Sequence, residues 1–242
     1  MKLGIFSDVH GNLEALETVL DFLHKQDVGT YLCCGDIVGY GADPRSCIER
    51  MAQLRGPVVA GNHDWGAIGR VPAGDFNSAA RASLAWTIEQ LHENDVSYLD
   101  SLALTEEFDP FYMVHSSPSA PRQWEYVFML RDAEAEMKYF SSNVCLVGHS
   151  HYPFAVEKRG HSPARLLRNE GFEVRPDAKY LVNVGSVGQP RDGDPRSCCA
   201  TYDTKTRLMS TRRLDYDVGK AQDKIRSAGL PEFLAERLAA GR

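Results

Sequence analysis

Apolar residues along this chain fall into short unbroken runs that alternate with stretches of helical spacing. Lys2–Ser7 reads as a strand. Behind it Leu13, Leu16, Val19, Leu20 and Leu23 recur at the intervals of one helix face, with Asn12 placed as the N-cap. Tyr31–Cys34 reads as the next strand, and Pro44 opens a helix to about Leu54, since a first helical turn tolerates proline. Val58–Ala60 follows as a third strand. The order strand–helix–strand–helix–strand predicts a parallel sheet with right-handed crossovers.

A longer helix is expected over Asn77–Glu93, with Leu84, Ile88 and Leu91 on one face. Phe111–Val114 and Val144–Val147 read as buried strands around a helix at about Asp132–Phe140. From Phe154 the texture changes to short strands with turns: Phe154–Lys158, Arg165–Arg168, Tyr180–Val184, Cys198–Asp203 and Arg207–Leu214. These predict a meander or hairpins building a second sheet. Helices at Val218–Ala228 and Pro231–Ala239, split by Gly229, complete the pattern. With no internal repeat or low-complexity linker, residues 1–242 are expected to form a single layered α/β domain, two sheets with flanking helices.

Composition narrows the function. A length of 242 residues, 43 % hydrophobic content and 25 % charge are ordinary globular values that permit a proper core. No apolar run approaches the roughly 20 residues of a membrane span. The stretch MKLGIFSDVHGN lacks the basic-then-apolar layout of a signal peptide. A formal charge of −6 argues against a general nucleic-acid binder, which displays a basic stripe, but leaves room for a small phosphorylated ligand held by metal ions. Cys33, Cys34, Cys47, Cys145, Cys198 and Cys199 form no C-x-x-C pair and read as reduced, buried thiols, which points to the cytoplasm.

Polar punctuation follows five of the apolar runs. Asp8-Val9-His10 comes after Gly4–Ser7, Gly35-Asp36 after Leu32–Cys34, and Gly61-Asn62-His63-Asp64 after Val58–Ala60. His115 comes after Phe111–Val114, and Gly148-His149-Ser150-His151 after Val144–Val147. Each has an ordinary reading alone: Asp8 or Asp36 as a helix cap, His115 as a satisfied core histidine, Asn62 as a turn residue. Jointly they place carboxylates and imidazoles at the carboxyl ends of strands, where open α/β sheets bind ligands. So dense a polar cluster needs a partner. Imidazole, carboxylate and amide donors suit a divalent transition metal, and the absence of paired thiolates argues against a structural zinc site.

These five blocks, in this order, resemble those of the calcineurin-like metallophosphoesterase superfamily. Asn183-Val184-Gly185-Ser186-Val187-Gly188-Gln189-Pro190-Arg191 and the stretch Gly229-Leu230-Pro231 to Arg237-Leu238 are similar to a bacterial phosphodiesterase-like branch. The resemblance implies a four-layer, two-sheet α/β sandwich with a helical insertion at about residues 65–108 near the active-site mouth. It implies two divalent metals, Mn²⁺ or Fe with Zn²⁺, Ni²⁺ or Co²⁺ as alternatives, bridged by Asp36. Asp8, His10 and His151 would complete one site, and Asn62, His115 and His149 the other. His63 then has no metal to bind and becomes the catalytic acid, an imidazolium facing the leaving-group oxygen that would protonate it or neutralise charge on the phosphoryl oxygens, with Asp64 fixing its tautomer.

The activity so implied is hydrolysis of a small phosphodiester or dinucleoside polyphosphate by a metal-bridging hydroxide in an in-line displacement. A small phosphorylated substrate, possibly a nucleotide, is the expected partner. Candidate substrate contacts are Asn12 at a helix start, Arg191 and Arg196 as clamps for a second phosphate, and Tyr40, Trp65 or Trp124 as stacking surfaces. A solvated, charge-paired loop is the alternative for the two arginines, because Asp192 and Asp194 lie between them. A phosphoprotein phosphatase is the rival activity. A protein-interaction scaffold of the same fold is the rival class, against which the retained His63 and ligand set weigh.

Overall fold

The computed structural model describes residues 1–167 and 171–242. Two sheets carry it. The first has five strands in the order β2 (Val28–Cys33), β1 (Lys2–Phe6), β10 (Ser197–Asp203), β11 (Leu208–Leu214) and β8 (Phe172–Glu173). The second has six: β3 (Thr105–Phe108), β4 (Phe111–Val114), β5 (Val144–Val147), β9 (Ala178–Asn183), β6 (Phe154–Arg159) and β7 (Arg165–Leu166). Parallel pairing is confined to β1–β2 in the first sheet and to β4–β5–β9 in the second.

Strand alternation explains how the sheets stack. Leu3 and Ile5 of β1, Leu32 of β2, Phe111 and Met113 of β4, Val144 and Leu146 of β5, and Tyr180 and Val182 of β9 share one buried cluster. Their intervening neighbours go elsewhere: Phe6 and Cys33 to a cluster with the helices of the first sheet, Val114, Cys145, Val147 and Leu181 to a cluster on the outside of the second. Both faces of these strands are therefore covered, which is why they read as continuous apolar runs. Full burial of a side chain such as Leu3 or Leu146 contributes about 1.5–3 kcal/mol. A one-residue slip would send every such side chain to the wrong layer.

The helices complete the outer layers. α1 (Leu13–Lys25) starts where the Asn12 Oδ1 accepts from the Ala15 N–H at 3.1 Å and buries Leu16, Val19, Leu20 and Leu23. α2 (Pro44–Ala52) starts on its proline. α3 (Asn62–Ala67) follows, and α4 (Ser78–Gln90) is capped by Asn77, whose side chain accepts from Ala80 at 3.0 Å. α5 (Glu93–Ser101), α6 (Leu130–Glu136), α7 (Val218–Ser227) and α8 (Glu232–Ala240) make up the rest.

Several expectations change. Asn77–Glu93 is not one helix: α4 stops at Gln90, and Asp95 accepts from the His92 N–H at 2.8 Å to start α5, which the periodicity did not reveal. Val58–Ala60 forms no ladder; single bridges tie Val58 to Cys33 and Val59 to Ala103. The expected Asp132–Phe140 helix is the shorter α6, and the Arg165–Arg168 strand is seen as β7, Arg168 lying outside the described residues. The late strands do not form a sheet of their own. β6, β7 and β9 join the sheet that holds β4 and β5, while β10 and β11 lie beside β1. A run buried on both faces looks the same in either sheet, so periodicity had no means of assigning membership.

This division positions the site. β1 and β2 in one sheet, and β4 and β5 in the other, end at the same edge of the sandwich, where the His149 backbone N–H donates to the Asp8 carboxylate at 3.1 Å. The polar residues thus face each other across the seam between two sheets, rather than lining one sheet edge.

Candidate metal centre

The loops after β1 and β2 run side by side, with Asp8 N–H donating to Gly35 O at 2.9 Å and His10 N–H to Asp36 O at 2.9 Å. Five of the expected ligands hold a left-handed backbone: Asp8 (φ 57°), His10 (φ 50°), Asp36 (φ 55°), His149 (φ 64°) and His151 (φ 61°). Each costs of order 1–3 kcal/mol and persists only where the surroundings fix it, a signature of functional sites. Asn62, for which a turn was the ordinary reading, instead begins α3. Two glycines of the motifs are needed for close approach. A Cβ on Gly61 would lie 2.0 Å from the Asp36 Oδ1, and one on Gly148 would lie 2.0 Å from the Ser7 Oγ.

Backbone carbonyls set the imidazole tautomers. Nδ1 of His10, His115 and His151 faces Val38 O at 3.1 Å, Cys34 O at 2.6 Å and Gln189 O at 2.5 Å, so each Nε2 is left as a lone-pair donor pointing inward. His149 is reversed: its Nε2 meets Trp124 O at 2.8 Å, which leaves Nδ1. The inward atoms converge. His10 Nε2 and His151 Nε2 are 3.1 Å apart, His151 Nε2 lies 3.1 Å from Asp8 Oδ1, and His115 Nε2 lies 3.2 Å from Asp36 Oδ2.

Electrostatics follow from burial and charge. Burial opposes ionisation of Asp36, yet His115 and His63 beside it hold its carboxyl well below the usual range. Burial, with His115 nearby, pushes His149 down to about 3, and burial with Arg191 does the same to His151, so both are neutral imidazoles, the metal-ligating form. Burial opposes a charge on His115, but the Asp36 carboxylate holds it up at about 9, so its Nε2 carries a proton toward Asp36 that a bound cation would replace.

The donor set fits divalent metal ions. Asp8, His10 and His151 form one group of potential ligand atoms within 4.8 Å of one another; Asp36, His115 and His149 form another. The Asn62 Oδ1 is buried with no hydrogen-bond partner, an orphan that a cation would satisfy. His63 also lies within 4.8 Å of ligand atoms of His10 and Asp36. Its ring packs against Tyr40, Phe76 and His10 at 4.5, 5.0 and 5.0 Å between centroids, and its Nδ1 is buried without a partner.

Asp64 departs from expectation. Its carboxylate accepts from the backbone N–H groups of Asp36 (2.8 Å), Ile37 (2.8 Å), Val38 (3.2 Å) and Gly61 (3.0 Å), and no hydrogen bond links it to His63. It braces the loop that carries Asp36 instead of orienting the imidazole. Burial pushes His63 well below its ordinary pKa despite the Asp36 carboxylate, so the imidazolium expected from the sequence is replaced by a neutral ring.

A cleft of about 480 Å³ opens over Asp36, Asn62, His63, His149 and His151. Among the expected substrate residues, Arg191, Tyr40 and Trp124 line it. The Arg191 guanidinium sits 5.6 Å from the Tyr40 ring centre and donates to Gln189 Oε1 at 2.9 Å. Tyr40 is only 6 % exposed, too enclosed to stack a base. Trp65 is 5 % exposed, with the guanidiniums of Arg70 and Arg122 at 5.1 and 5.0 Å and Trp124 edge-on at 5.9 Å, so it is wall rather than platform. Asn12 is fully used: besides capping α1 it donates to Gly188 O at 2.9 Å and Tyr216 Oη at 3.3 Å. Arg196 is held by Asp194 at 2.7 Å, the charge-paired alternative.

Sequence reasoning gave no site role to Arg122 or Phe76, which line the cleft with Tyr126, or to Arg237, 5.8 Å from the Tyr40 ring. The interleaving of Arg122, Trp124 and Tyr126 within five residues was the available signal.

Comparison with known proteins agrees with this geometry. Residues 1–207 match the model of the calcineurin-like phosphoesterase superfamily domain. An uncharacterized protein of Methanocaldococcus jannaschii is 37 % identical over 99 % of this chain and 98 % of its own length. A metallophosphoesterase from Sphaerobacter thermophilus superposes with a TM-score of 0.87 at 38 % identity, covering 100 % of this chain and 99 % of its own. A hypothetical protein from Pyrococcus horikoshii OT3 shares the fold, with a TM-score of 0.82 at 21 % identity and coverage of 100 % and 98 %. With its strand-end ligand blocks, convergent imidazoles and two-sheet seam, this chain belongs to the calcineurin-like phosphoesterase superfamily and is a phosphoric ester hydrolase.

Proposed function

We propose that the enzyme hydrolyses a small phosphodiester or dinucleoside polyphosphate at two divalent metal ions, Mn²⁺ or Fe by preference, that share Asp36. The observation that carries this reading is two adjacent donor groups, Asp8–His10–His151 and Asp36–His115–His149, with the Asp36 Oδ2 also 3.6 Å from His10 Nε2, under a cleft of about 480 Å³ that Arg191 lines. Asp8, His10 and His151 would hold one ion, and Asn62, His115 and His149 the other. When bound, such ions supply positive charge to phosphoryl oxygens and acidify water.

The remaining work falls to the chain. His63, neutral and packed between Tyr40 and Phe76, presents an N–H to a phosphoryl oxygen, and Phe76 keeps water from that side. Arg191, aimed by Gln189, neutralises a phosphate beyond the reacting one. Arg237 lies against the same tyrosine ring, its Nε donating to the Arg242 main-chain oxygen, and no Asp or Glu side chain pairs with either guanidinium among the described residues. Such a like-charge pair favours a ligand carrying more than one phosphate.

Three outcomes test this. With Mn²⁺ loaded, kcat/KM should be higher for a dinucleoside tetraphosphate than for nitrophenyl phosphate, and Arg191→Ala should reduce the first far more than the second. Indifference of both substrates to Arg191, or a clear preference for phosphopeptides, would favour a protein phosphatase. His63→Ala should keep its metal content and lose about 10²–10³-fold in kcat, the usual worth of one preorganised donor. The loss should be equal for diesters with good and with poor leaving groups; a loss confined to the poor leaving group would restore His63 as the acid. Asp64→Ala frees four buried amide donors, so it should lower the melting temperature and metal affinity together, whereas an effect on kcat alone would return it to His63.

A further inference from the structure

The rim of the cleft on the His149 side carries aromatic surface that the proposed chemistry leaves unused. The Tyr126 ring lies parallel to the His149 imidazole, 4.0 Å between centroids and 10° between planes. Phe128 stacks on Tyr126 at 5.0 Å and 20°, and Tyr152 meets Phe128 edge-on at 6.2 Å. Tyr126, Phe128 and Tyr152 are 48 %, 49 % and 44 % exposed. Single exposed aromatics are unremarkable in a protein of this size, but here they form one connected ledge that begins on a presumed metal ligand and runs outward.

The ledge is held in place. Asp132, in the first turn of α6, accepts from the backbone N–H groups of Phe128 at 3.3 Å and Met129 at 3.1 Å. Tyr126 also lines the cleft, as does Arg122, whose guanidinium lies over the Trp65 ring. Ring faces on the rim of a cleft that Arg122 and Arg191 line, leading away from a phosphate-binding centre, suit a flat aromatic group joined to a phosphate: every nucleobase offers a π-face, and such stacking tolerates any base identity. Tyr40 and Trp65 are too buried for that task, and the half-buried Trp124 is packed against Trp65 and His115.

We propose that Phe128, backed by Tyr126 and flanked by Tyr152, binds the nucleobase of a nucleotidyl ester whose phosphate lies at the metal centre. This rests on the phosphodiesterase reading above, and its test separates the two. Thymidine 5′-(4-nitrophenyl) phosphate and ethyl 4-nitrophenyl phosphate share a leaving group and differ in the nucleoside. The wild-type enzyme should prefer the first in kcat/KM. Phe128→Ala should cut that preference about tenfold, the effect of one lost base stack, and Phe128→Trp should keep it. Equilibrium dialysis with Mn²⁺ provides a readout without turnover: AMP should bind more tightly than inorganic phosphate, and Phe128→Ala should remove the advantage. An advantage absent in the wild type, or intact in Phe128→Ala, overturns the platform even if both esters are cleaved. Loss of the AMP advantage in an enzyme that cleaves neither ester supports the platform and sinks the phosphodiesterase reading alone. Self-association that Phe128→Ala abolishes, without any effect on nucleotide binding, would assign the ledge to a second copy of the chain.

Discussion

An ionised carboxylate in the interior is the constraint on which this structure turns. Asp36 is 1 % exposed, and a lone charge there would be prohibitively costly. Imidazoles from both sheets surround it, and its Oδ1 accepts the His63 backbone N–H at 2.8 Å. Asp64, itself buried, gathers four backbone N–H groups from the loop that carries Asp36 and from Gly61. The left-handed turns at Asp8, His10, Asp36, His149 and His151 store strain that the surrounding packing must supply. That explains why the fold encloses the seam with helices of one sheet and aromatic walls on the other side. A site that concentrates so much negative charge and so many lone pairs is a poor free-standing structure and a good cation trap.

The cluster of candidate donors was legible in the sequence because each part of it is local. Each block sits directly after a strand, and a strand end fixes where the next two or three residues go. The structure brings Asp8, His10, Asp36, Asn62, His115, His149 and His151 together as those positions require. Sheet membership was not legible, since Cys145 and Cys33 occupy runs that are equally apolar and yet belong to different sheets. Helix α5 escaped notice because its start depends on a single contact, Asp95 to the His92 N–H.

The substrate side was the least readable, and for a different physical reason. Whether an aromatic or a guanidinium meets solvent depends on side chains far away in sequence. Trp65 looks like a stacking surface until Arg122, fifty-seven positions on, is seen against it. Asp64 beside His63 looks like a histidine partner, but helix α3 turns its carboxylate toward the Asp36 loop. Arg196 looks like a phosphate clamp, and Asp194, two residues before it, takes the charge. Adjacency in sequence gives the identity of a group; the partner it faces is a tertiary property.

The central claim is that Asp36 joins two metal positions across the seam between the sheets. Anomalous-difference maps from crystals grown with Mn²⁺, recorded above and below the manganese edge, test it directly. The account predicts two peaks, one flanked by Asp8, His10 and His151, the other by Asn62, His115 and His149, with the Asp36 carboxylate touching both. A single peak, or one coordinated by His63 in place of Asn62, would contradict it.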